Sequence, residues 1–337
     1  MPISEKDIQK YATEITKLSD TLNGVLFGQE DLIELTITGL LARGHILLEG
    51  LPGLGKTELV TALSKALQIE TKRIQFTPDL LPGDITGNPV LQETSNGREF
   101  VFQPGPLFAN LVLADEINRA SPKTQSALLE AMQERRVTVL GKAHQLPVPF
   151  FVLATQNPIE LEGTYPLPEA QLDRFLFKLE VQRNSAETLE RIVQHRELGI
   201  EPKVESVMDA QTLINIMDAV RKIYLPDVVA NYIARLVDGT HRGQSKVSEG
   251  IRFGASPRAA LSLASAAKSR ALIKGRINAS FEDVKAVAIP VLQHRIVLEY
   301  QARIDGTTAR DLVEKLLTEI PTQDLDTPAT LKEKANA

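Results

Sequence analysis

Residues 45–57 read His45-Ile-Leu-Leu-Glu-Gly-Leu-Pro-Gly-Leu-Gly-Lys-Thr57: a short apolar run, a glycine-rich loop, and then Lys-Thr. The apolar run predicts a buried strand, and the apolar positions that follow at helical spacing predict a helix. Between a strand and a helix, the spacing Gly-x-x-x-x-Gly-Lys-Thr is that of a P-loop. Its glycines let backbone N–H groups turn toward phosphate oxygens, and the helix N-terminus adds a partial positive charge. The stretch therefore predicts a nucleoside triphosphate site.

Within this loop we expect Lys56 to reach the β- and γ-phosphates and Thr57 to ligate Mg²⁺. A glycine-rich turn that merely precedes Lys-Thr is the alternative, and the flanking strand and helix argue against it. The predicted nucleotide-binding residues of the loop are Gly50, Leu51, Pro52, Gly53, Leu54, Gly55, Lys56, Thr57 and Glu58.

The rest of the chain divides into two parts with different hydrophobic patterns. Strand-like apolar runs separated by helical patterns predict an α/β fold with a parallel sheet. These runs lie at 45–49, 72–76, 111–115, 150–155 and 175–181. Beyond residue 183 the patterns are helical, at 185–198, 208–223, 226–241, 257–274, 280–295 and 307–319. We therefore expect an α/β domain over 1–183, an all-α domain over 184–320 and a loosely held polar tail over 321–337.

Two stretches interrupt the α/β pattern. Residues 77–110 are rich in Gly and Pro, and residues 136–149 read as a hairpin that turns near Gly141-Lys142. Both are too long and too patterned to be simple connections.

Two acids follow the third predicted strand, in Leu111-Val-Leu-Ala-Asp115-Glu116. Acids at a strand end are often only surface groups. With a P-loop upstream, we expect Asp115 to hold Mg²⁺ and Glu116 to act as the general base on the attacking water.

The fourth predicted strand ends in Thr155-Gln-Asn-Pro158. Asn-Pro is a common turn, which is the simpler interpretation. Because a neighbouring strand would place Asn157 beside the γ-phosphate, we expect it to orient the water together with Glu116.

An arginine precedes the fifth predicted strand, in Gln171-Leu-Asp-Arg174-Phe175. Beside Asp173 it could form an ordinary surface ion pair. We expect Arg174 instead to act as an arginine finger on a neighbouring subunit's γ-phosphate. Other arginines that could serve at such an interface are Arg119, Arg135 and Arg136.

A cation opens a helix in the second domain. In Gly254-Ala-Ser-Pro-Arg258, Ser256 reads as the N-cap and Pro257 as the first helical residue. The helix dipole disfavours Arg258 there by up to about 1 kcal/mol, so a phosphate is the expected partner. The alternative is a solvated arginine that tolerates this cost.

Composition narrows the function classes. The chain has 337 residues, no cysteine and a net charge of −5. Disulfides, thiolate metal sites and cysteine nucleophiles are excluded. The negative net charge argues against nucleic-acid binding as the main function of the protein. The N-terminus does not read as a signal peptide and no apolar run is long enough for a membrane span, so the expected location is the cytoplasm.

The motifs together resemble those of AAA+ ATPases. The residues in and around these motifs most resemble those of the MoxR family. The resemblance is carried by Asp79-Leu-Leu-Pro-Gly-Asp-Ile-Thr-Gly87, Asp115-Glu-Ile-Asn-Arg-Ala120 and Leu167-Pro-Glu-Ala-Gln-Leu-Asp-Arg-Phe175. The resemblance implies an ASCE sheet of order 5-1-4-3-2 with a helical lid. The stretch 77–110 would be an insert in the second helix, and 136–149 a hairpin before the sensor strand.

The same resemblance implies a function. Gly28 and Gln29 would lie near the adenine of ATP or ADP, and Arg174 would act in trans within a hexameric ring. MoxR-type proteins resemble chaperones that mature or remodel client proteins, often with a partner that carries a von Willebrand A domain.

Two other function classes stay open at this point. The layout is shared with nucleic-acid motors and magnesium-chelatase-like motor subunits. A nucleotide-gated scaffold with little turnover is the third possibility, and the presence of Glu116 and Asn157 argues against it.

Overall fold

The apolar runs predicted as strands form one parallel sheet in the computed structural model, which describes residues 3–50, 53–94, 97–157, 163–197 and 199–322. The strands of the α/β part are β1 (Ile46–Glu49), β2 (Thr71–Gln75), β3 (Gly87–Thr94), β4 (Gly97–Pro104), β5 (Leu111–Asp115), β6 (Arg136–Val139), β7 (Lys142–Gln145), β8 (Phe151–Gln156) and β9 (Phe177–Glu180). The central sheet runs β2-β5-β8-β1-β9, and every neighbouring pair is parallel. This order confirms the predicted 5-1-4-3-2.

Burial along the strands explains why their sequences differ. The central strands β1, β5 and β8 are buried along their apolar residues, because helices cover both faces of the sheet. Strand β2 lies at one edge, where Ile74 is buried while Arg73 and Gln75 are exposed. All five strands end at the same edge of the sheet, which brings the polar residues after β1, β5 and β8 close together.

The helices of the α/β part are α1 (Glu5–Asn23), α2 (Glu30–Leu41), α3 (Lys56–Leu67), α4 (Pro82–Thr86), α5 (Pro122–Glu134) and α6 (Glu169–Leu172). Local sequence signals set several of their ends. The Ser4 hydroxyl accepts the Asp7 backbone N–H at the start of α1, and the Ser121 hydroxyl accepts that of Thr124 at the start of α5.

Both interrupting stretches contain a hairpin. Residues 77–110 hold the short helix α4 and the hairpin β3–β4, and residues 136–149 hold the hairpin β6–β7. The second hairpin turns at Leu140-Gly141, with φ of 48° and 76°, one residue before the predicted position. The Phe102 ring stacks on His144 with centroids 3.9 Å apart, so the two hairpins pack together.

Residues 184–320, called the lid below, are mainly helical. The helices are α7 (Ala186–His195), α8 (Ala210–Lys222), α9 (Asp227–Asp238), α10 (Pro257–Ile273), α11 (Phe281–Leu292), α12 (Tyr300–Ile304) and α13 (Ala309–Glu319). A small antiparallel ribbon of β10 (Ile251–Phe253) and β11 (Val297–Leu298) departs from the all-α expectation. Strands of two and three residues show no alternation that a sequence pattern could reveal. The predicted loose tail lies, from residue 323 on, outside the described residues.

The lid shares a hydrophobic core with the N-terminal helices. Apolar residues of α1 and α2 belong to the same buried cluster as those of α10 and α11. Polar contacts also join the lid to α2. Arg270 pairs with Glu34 at 2.7 Å, and the Ser269 hydroxyl donates to the Thr38 carbonyl at 2.9 Å. Within the described ranges no helix is both long enough and apolar enough to cross a membrane.

Candidate functional site

The glycine-rich loop joins β1 to α3 and places a lysine at the start of that helix. Gly53 and Gly55 have φ of 82° and 83°, which residues with a Cβ rarely adopt, and Gly55 is the N-cap of α3. The Lys56 Nζ donates to the Gly50 carbonyl at 2.5 Å. Leu54 packs partly buried against the core. Two of the predicted contact residues, Leu51 and Pro52, lie outside the described residues.

The first turn of α3 carries the other predicted residues of this loop. Thr57 is exposed beside the loop. The Glu58 carboxylate pairs with Arg196 at 3.2 Å, and Arg196 also donates to the Val25 carbonyl. Glu58 therefore anchors the segment after α7 next to the loop, whereas Thr57 is available to a ligand.

Asp115 ends β5 and is held from two sides. Its Oδ1 accepts the Thr155 hydroxyl at 2.6 Å, and its Oδ2 accepts Arg73 at 2.6 Å. Thr155 lies on β8 and Arg73 on β2, so both neighbouring strands fix the carboxylate.

Glu116 follows in a left-handed backbone conformation, with φ of 56°. This turn directs its side chain toward Gln75, whose Nε2 donates to Oε2 at 2.7 Å, and toward Arg119, whose guanidinium donates to the same oxygen at 2.9 Å. The Glu116 backbone N–H donates to the Thr155 hydroxyl at 2.9 Å. A non-glycine residue in this conformation is uncommon and frequently found at functional sites.

The charge of Lys56 is influenced by the neighbouring acids. Burial lowers the pKa of Lys56, and the negative charges of Asp115, Glu116 and Glu49 act in the opposite direction. The Thr57 hydroxyl and the Asp115 carboxylate are hard oxygen ligands of the kind that Mg²⁺ takes together with phosphates. Among the described residues no group of three or more His, Asp or Glu could hold a metal ion by itself.

Asn157 follows β8 and lies next to the start of the glycine-rich loop. Glu49 pairs with Gln156 in the register of β1 and β8, and the Gly50 N–H bonds to the Gln156 carbonyl at 3.4 Å. Asn157 is buried, with 9% of its surface exposed. Sheet register thus brings Lys56, Asp115, Glu116 and Asn157 to one edge of the sheet, as the sequence predicts.

Gly28 and Gln29 lie on the other side of the loop, where the segment before α2 meets the lid. A Cβ at Gly28 would lie 2.5 Å from the Thr188 hydroxyl oxygen, so only glycine fits. The Gln29 Nε2 donates to the Asn184 side-chain oxygen at 3.1 Å. Leu26, just before them, lies against Gly55 of the loop.

Arg174 and Arg258 lie together, at the opposite end of the sheet. Both line a cavity of about 230 Å³ that also contacts His45 and Leu176, the residues just before β1 and β9. Three further arginines line it, namely Arg43, Arg135 and Arg295.

Arg258 pairs with Asp173 at 3.3 Å, and Arg174 donates to the Leu129 carbonyl at 2.8 Å. A phosphate is the predicted partner of Arg258. Within this chain its guanidinium contacts the Asp173 carboxylate, because the lid is docked on β9 and on the N-terminal helices.

The competing arginines have partners within the chain. Arg119 contacts Glu116, and Arg136 pairs with Glu134 at 3.6 Å. Arg135 donates to the carbonyls of Arg43 and Phe150. Of these three, Arg119 is the one that lies at the P-loop edge.

Sequence reasoning missed several residues that shape the site. Arg73 and Gln75 on β2 bond to the two acids, yet in sequence they look like ordinary polar residues of an edge strand. Residues two apart on a strand face the same side, but this spacing does not reveal what Arg73 and Gln75 contact. Arg295, which contacts Asp173 at 2.8 Å, lies more than a hundred residues from its partner and gives no local signal.

Comparisons with known proteins agree with this geometry. Residues 45–177 match the family model described as "ATPase family associated with various cellular activities (AAA)", and residues 243–316 match that of an AAA lid domain. A solved structure from Cytophaga hutchinsonii superposes with a TM-score of 0.87 at 38% identity, over 95% of this chain and 98% of that one.

Named relatives specify the family. Chaperone MoxR1 of Mycobacterium tuberculosis is 43% identical over 298 residues, which cover 87% of this chain and 78% of that protein. Protein MoxR of Methylorubrum extorquens is 31% identical over 316 residues, covering 87% and 91%. Because these relatives are 43% and 31% identical and each match covers 87% of this chain, the protein belongs to the MoxR family of AAA+ proteins and is an ATP-hydrolysing enzyme.

Proposed function

We propose that this protein is an ATP-driven chaperone that works as a hexameric ring, with each ATP site completed by the neighbouring subunit. One observation carries the proposal. Lys56, Asp115 and Glu116 lie at the carboxyl end of the parallel sheet, whereas Arg174 and Arg258 lie at the amino end. One chain therefore cannot bring its own two arginines to its own P-loop, but a second subunit can.

Each side chain then has a defined task in hydrolysis. The loop N–H groups and Lys56 hold the phosphates, and Thr57 and Asp115 would hold Mg²⁺. The ion would neutralise charge on the triphosphate. Glu116 takes a proton from the attacking water, which Asn157 orients.

The outer contacts of the nucleotide complete this picture. Gly28 and Gln29 border the adenine, because Leu26, just before them, lies against Gly55 of the loop, and the Gln29 side chain contacts Asn184 at the start of the lid. Arg174 and Arg258 of the neighbour stabilise the charge on the γ-phosphate.

The variant Glu116→Gln tests the assignment of the base. The amide keeps the size of the side chain but cannot accept a proton, so hydrolysis should fall on the order of 100-fold or more while ATP binding persists. Phosphate release and binding of a fluorescent nucleotide measure the two effects. Glu282→Gln, which alters an exposed acid of the lid, is the matched control. Hydrolysis that continues in Glu116→Gln would show that another group is the base.

Client binding is proposed for the two hairpins. The tips and faces of β3–β4 and β6–β7 expose Leu91, Phe100 and Leu140 by 51%, 68% and 71%. Apolar side chains exposed this far on paired hairpins suit contact with another protein. The relative named Chaperone MoxR1 supports a role in remodelling proteins. A pull-down with the Glu116→Gln ring locked in ATP should recover the clients, including the proposed partner with a von Willebrand A domain.

A nucleic-acid motor or magnesium-chelatase-like motor subunit is the alternative. The net charge of −5 does not favour a ring that binds DNA. An ATPase rate that rises with added DNA and loses this response in high salt would favour the alternative.

A further inference from the structure

The end of α11 holds the segment that leads into β9. Three consecutive residues contribute: the Gln293 side chain donates to the Lys178 carbonyl at 2.6 Å, and the His294 Nε2 lies 3.1 Å from the Phe175 carbonyl. Arg295 follows with contacts of its own. Side chains of the lid therefore hydrogen-bond to backbone carbonyls at the start of the edge strand β9. These carbonyls begin at Phe175, the residue directly after Arg174.

Arg295 makes the densest set of these contacts. Its side chain is 1% exposed. The guanidinium donates to the carbonyls of Phe175 at 2.6 Å and Leu176 at 3.1 Å, and to the Ser262 hydroxyl at 3.2 Å. Its Nε donates to the Asp173 Oδ1 at 2.8 Å. A buried guanidinium is tolerated only when it is paired and its donors are satisfied, so this geometry is tightly specified.

The Asp173 carboxylate extends the contact to the lid's exposed arginine. Its second oxygen, Oδ2, accepts Arg258 at 3.3 Å and the Ser256 hydroxyl at 3.2 Å. One carboxylate thus lies between the buried Arg295 and the half-exposed Arg258, and it is the chain neighbour of Arg174.

We propose that Asp173 and Arg295 are positioning residues that set the two arginines which a subunit offers to its neighbour's nucleotide. This inference rests on the proposed function, in which Arg174 and Arg258 act in trans. Arg295 fixes the backbone after Arg174, and Asp173 fixes the Arg258 guanidinium. Both arginines therefore approach the neighbouring site as one unit, because the lid and the amino end of the sheet are locked together at this point.

Asp173→Asn is the test variant, since it is close in shape and leaves Arg295 an acceptor. The amide removes the charge that holds Arg258, so kcat should fall on the order of 10- to 100-fold, as small misplacements of catalytic groups do. The affinity of each subunit's own P-loop for ATP should change little. Because the buried Arg295 loses its charged partner, the melting temperature should fall, so kcat is expressed per folded protein.

Asp218→Asn is the matched control. Asp218 on α8 pairs with Arg43 at 2.8 Å, so this ion pair also joins the lid to the sheet side but does not touch Asp173. We expect its kcat to match that of the unaltered protein. An equal loss of kcat in both variants would show that lid docking in general matters, and would overturn the positioning role.

Arg295→Lys gives a second, independent variant. Lysine keeps the charge but loses the planar fork that reaches Asp173 and Phe175 together. Because the site is buried, the folded fraction is measured by circular dichroism and kcat is expressed per folded protein. A kcat equal to that of the unaltered protein would overturn the proposal for Arg295.

Mixing experiments separate this inference from the proposed function. Asp173→Asn subunits have an intact P-loop and base, whereas Glu116→Gln subunits have intact trans arginines. Co-assembly of the two should raise hydrolysis above the sum of the two variants alone, with a maximum near equal amounts. A mixture of Arg174→Ala with Glu116→Gln should be restored in the same way.

Each result of the mixing experiments tests either the proposed function or the positioning role. If the Arg174→Ala mixture is not restored, the shared site of the proposed function fails. If that mixture is restored but Asp173→Asn is fully active alone, or is inactive and not restored by mixing, the proposed function stands and the positioning role is wrong.

Discussion

At the scale of single residues, the two acids of the site are held by cationic and amide side chains. Asp115 pairs with Arg73, and Glu116 accepts from Gln75 and Arg119. Such partners allow acids to lie near each other beside a binding loop for anions. In the proposed reaction, a bound nucleotide with its cation would change the charge around both acids and so bear on these contacts.

His45, just before β1, leads to a prediction about pH and stability. It is buried, its Nδ1 accepts the Val152 N–H at 3.0 Å, and its Nε2 lies 3.1 Å from the Met132 carbonyl. Burial, and to a lesser extent the positive charge of Arg135, lower its pKa from 6.5 to about 3. Since the folded pKa is the lower one, the stabilisation is complete above pH 6.5 and is lost as the pH falls toward 3.

We therefore expect the free energy of unfolding to drop by about 2–3 kcal/mol from His45 alone between pH 7 and pH 4.5. Urea titrations across this range measure the slope. His45→Asn should be less stable at pH 7 but should lose less stability on acidification. Part of the slope should remain, because burial also lowers the pKa of His294. Identical slopes in both proteins would contradict the assignment.

At the scale of elements, the two hairpins form one structural unit on the sheet. Strands β3 and β4 pair over eight residues each, and Phe102 of β4 packs on both Phe108 and His144. An isolated two-stranded hairpin is only marginally stable in water, so this packing is what orders the pair. Phe100 of the same strand faces solvent and is free for a partner.

Two phenylalanines two positions apart should therefore differ in their effects. Phe102→Ala should destabilise the hairpin pair by about 1–2 kcal/mol, because aromatic stacking and buried area are lost. Phe100→Ala should change stability by less than about 0.5 kcal/mol. Hydrogen exchange of the β6–β7 amides reports the difference. Equal exchange rates in both variants would argue against packing between the hairpins.

At the scale of the whole molecule, the lid is docked rather than hanging from a flexible link. It shares a core with α1 and α2 and bonds to the lead-in of β9 through α11. This docking separates the two halves of the proposed site to opposite ends of each subunit. In the proposed function, assembly of subunits is therefore a condition for hydrolysis.

The specific ATPase activity should consequently depend on protein concentration. On dilution below the range in which sedimentation shows assembled subunits, the rate per subunit should fall toward that of Arg174→Ala, which should be low at every concentration. A rate per subunit that stays constant in a preparation shown to be monomeric would rule out a shared site.

The sequence alone determined the sheet order, through the resemblance carried by its motifs, and the cluster of Lys56, Asp115, Glu116 and Asn157. These residues follow buried strands directly, and parallel strands end at a common edge, so local pattern is enough to bring them together. Glycine spacing determined the loop in the same way, since its positive φ angles are a local requirement.

Only the tertiary structure decided where the lid lies, and with it the position of Arg258 beside Asp173 at the far end of the sheet. Domain placement depends on apolar surfaces and buried polar contacts between residues far apart in sequence, such as Arg295 with Asp173. No periodicity or spacing encodes such a pair. The nucleotide loop is thus predictable from the sequence, whereas the face proposed to offer arginines to a neighbour is set by tertiary packing.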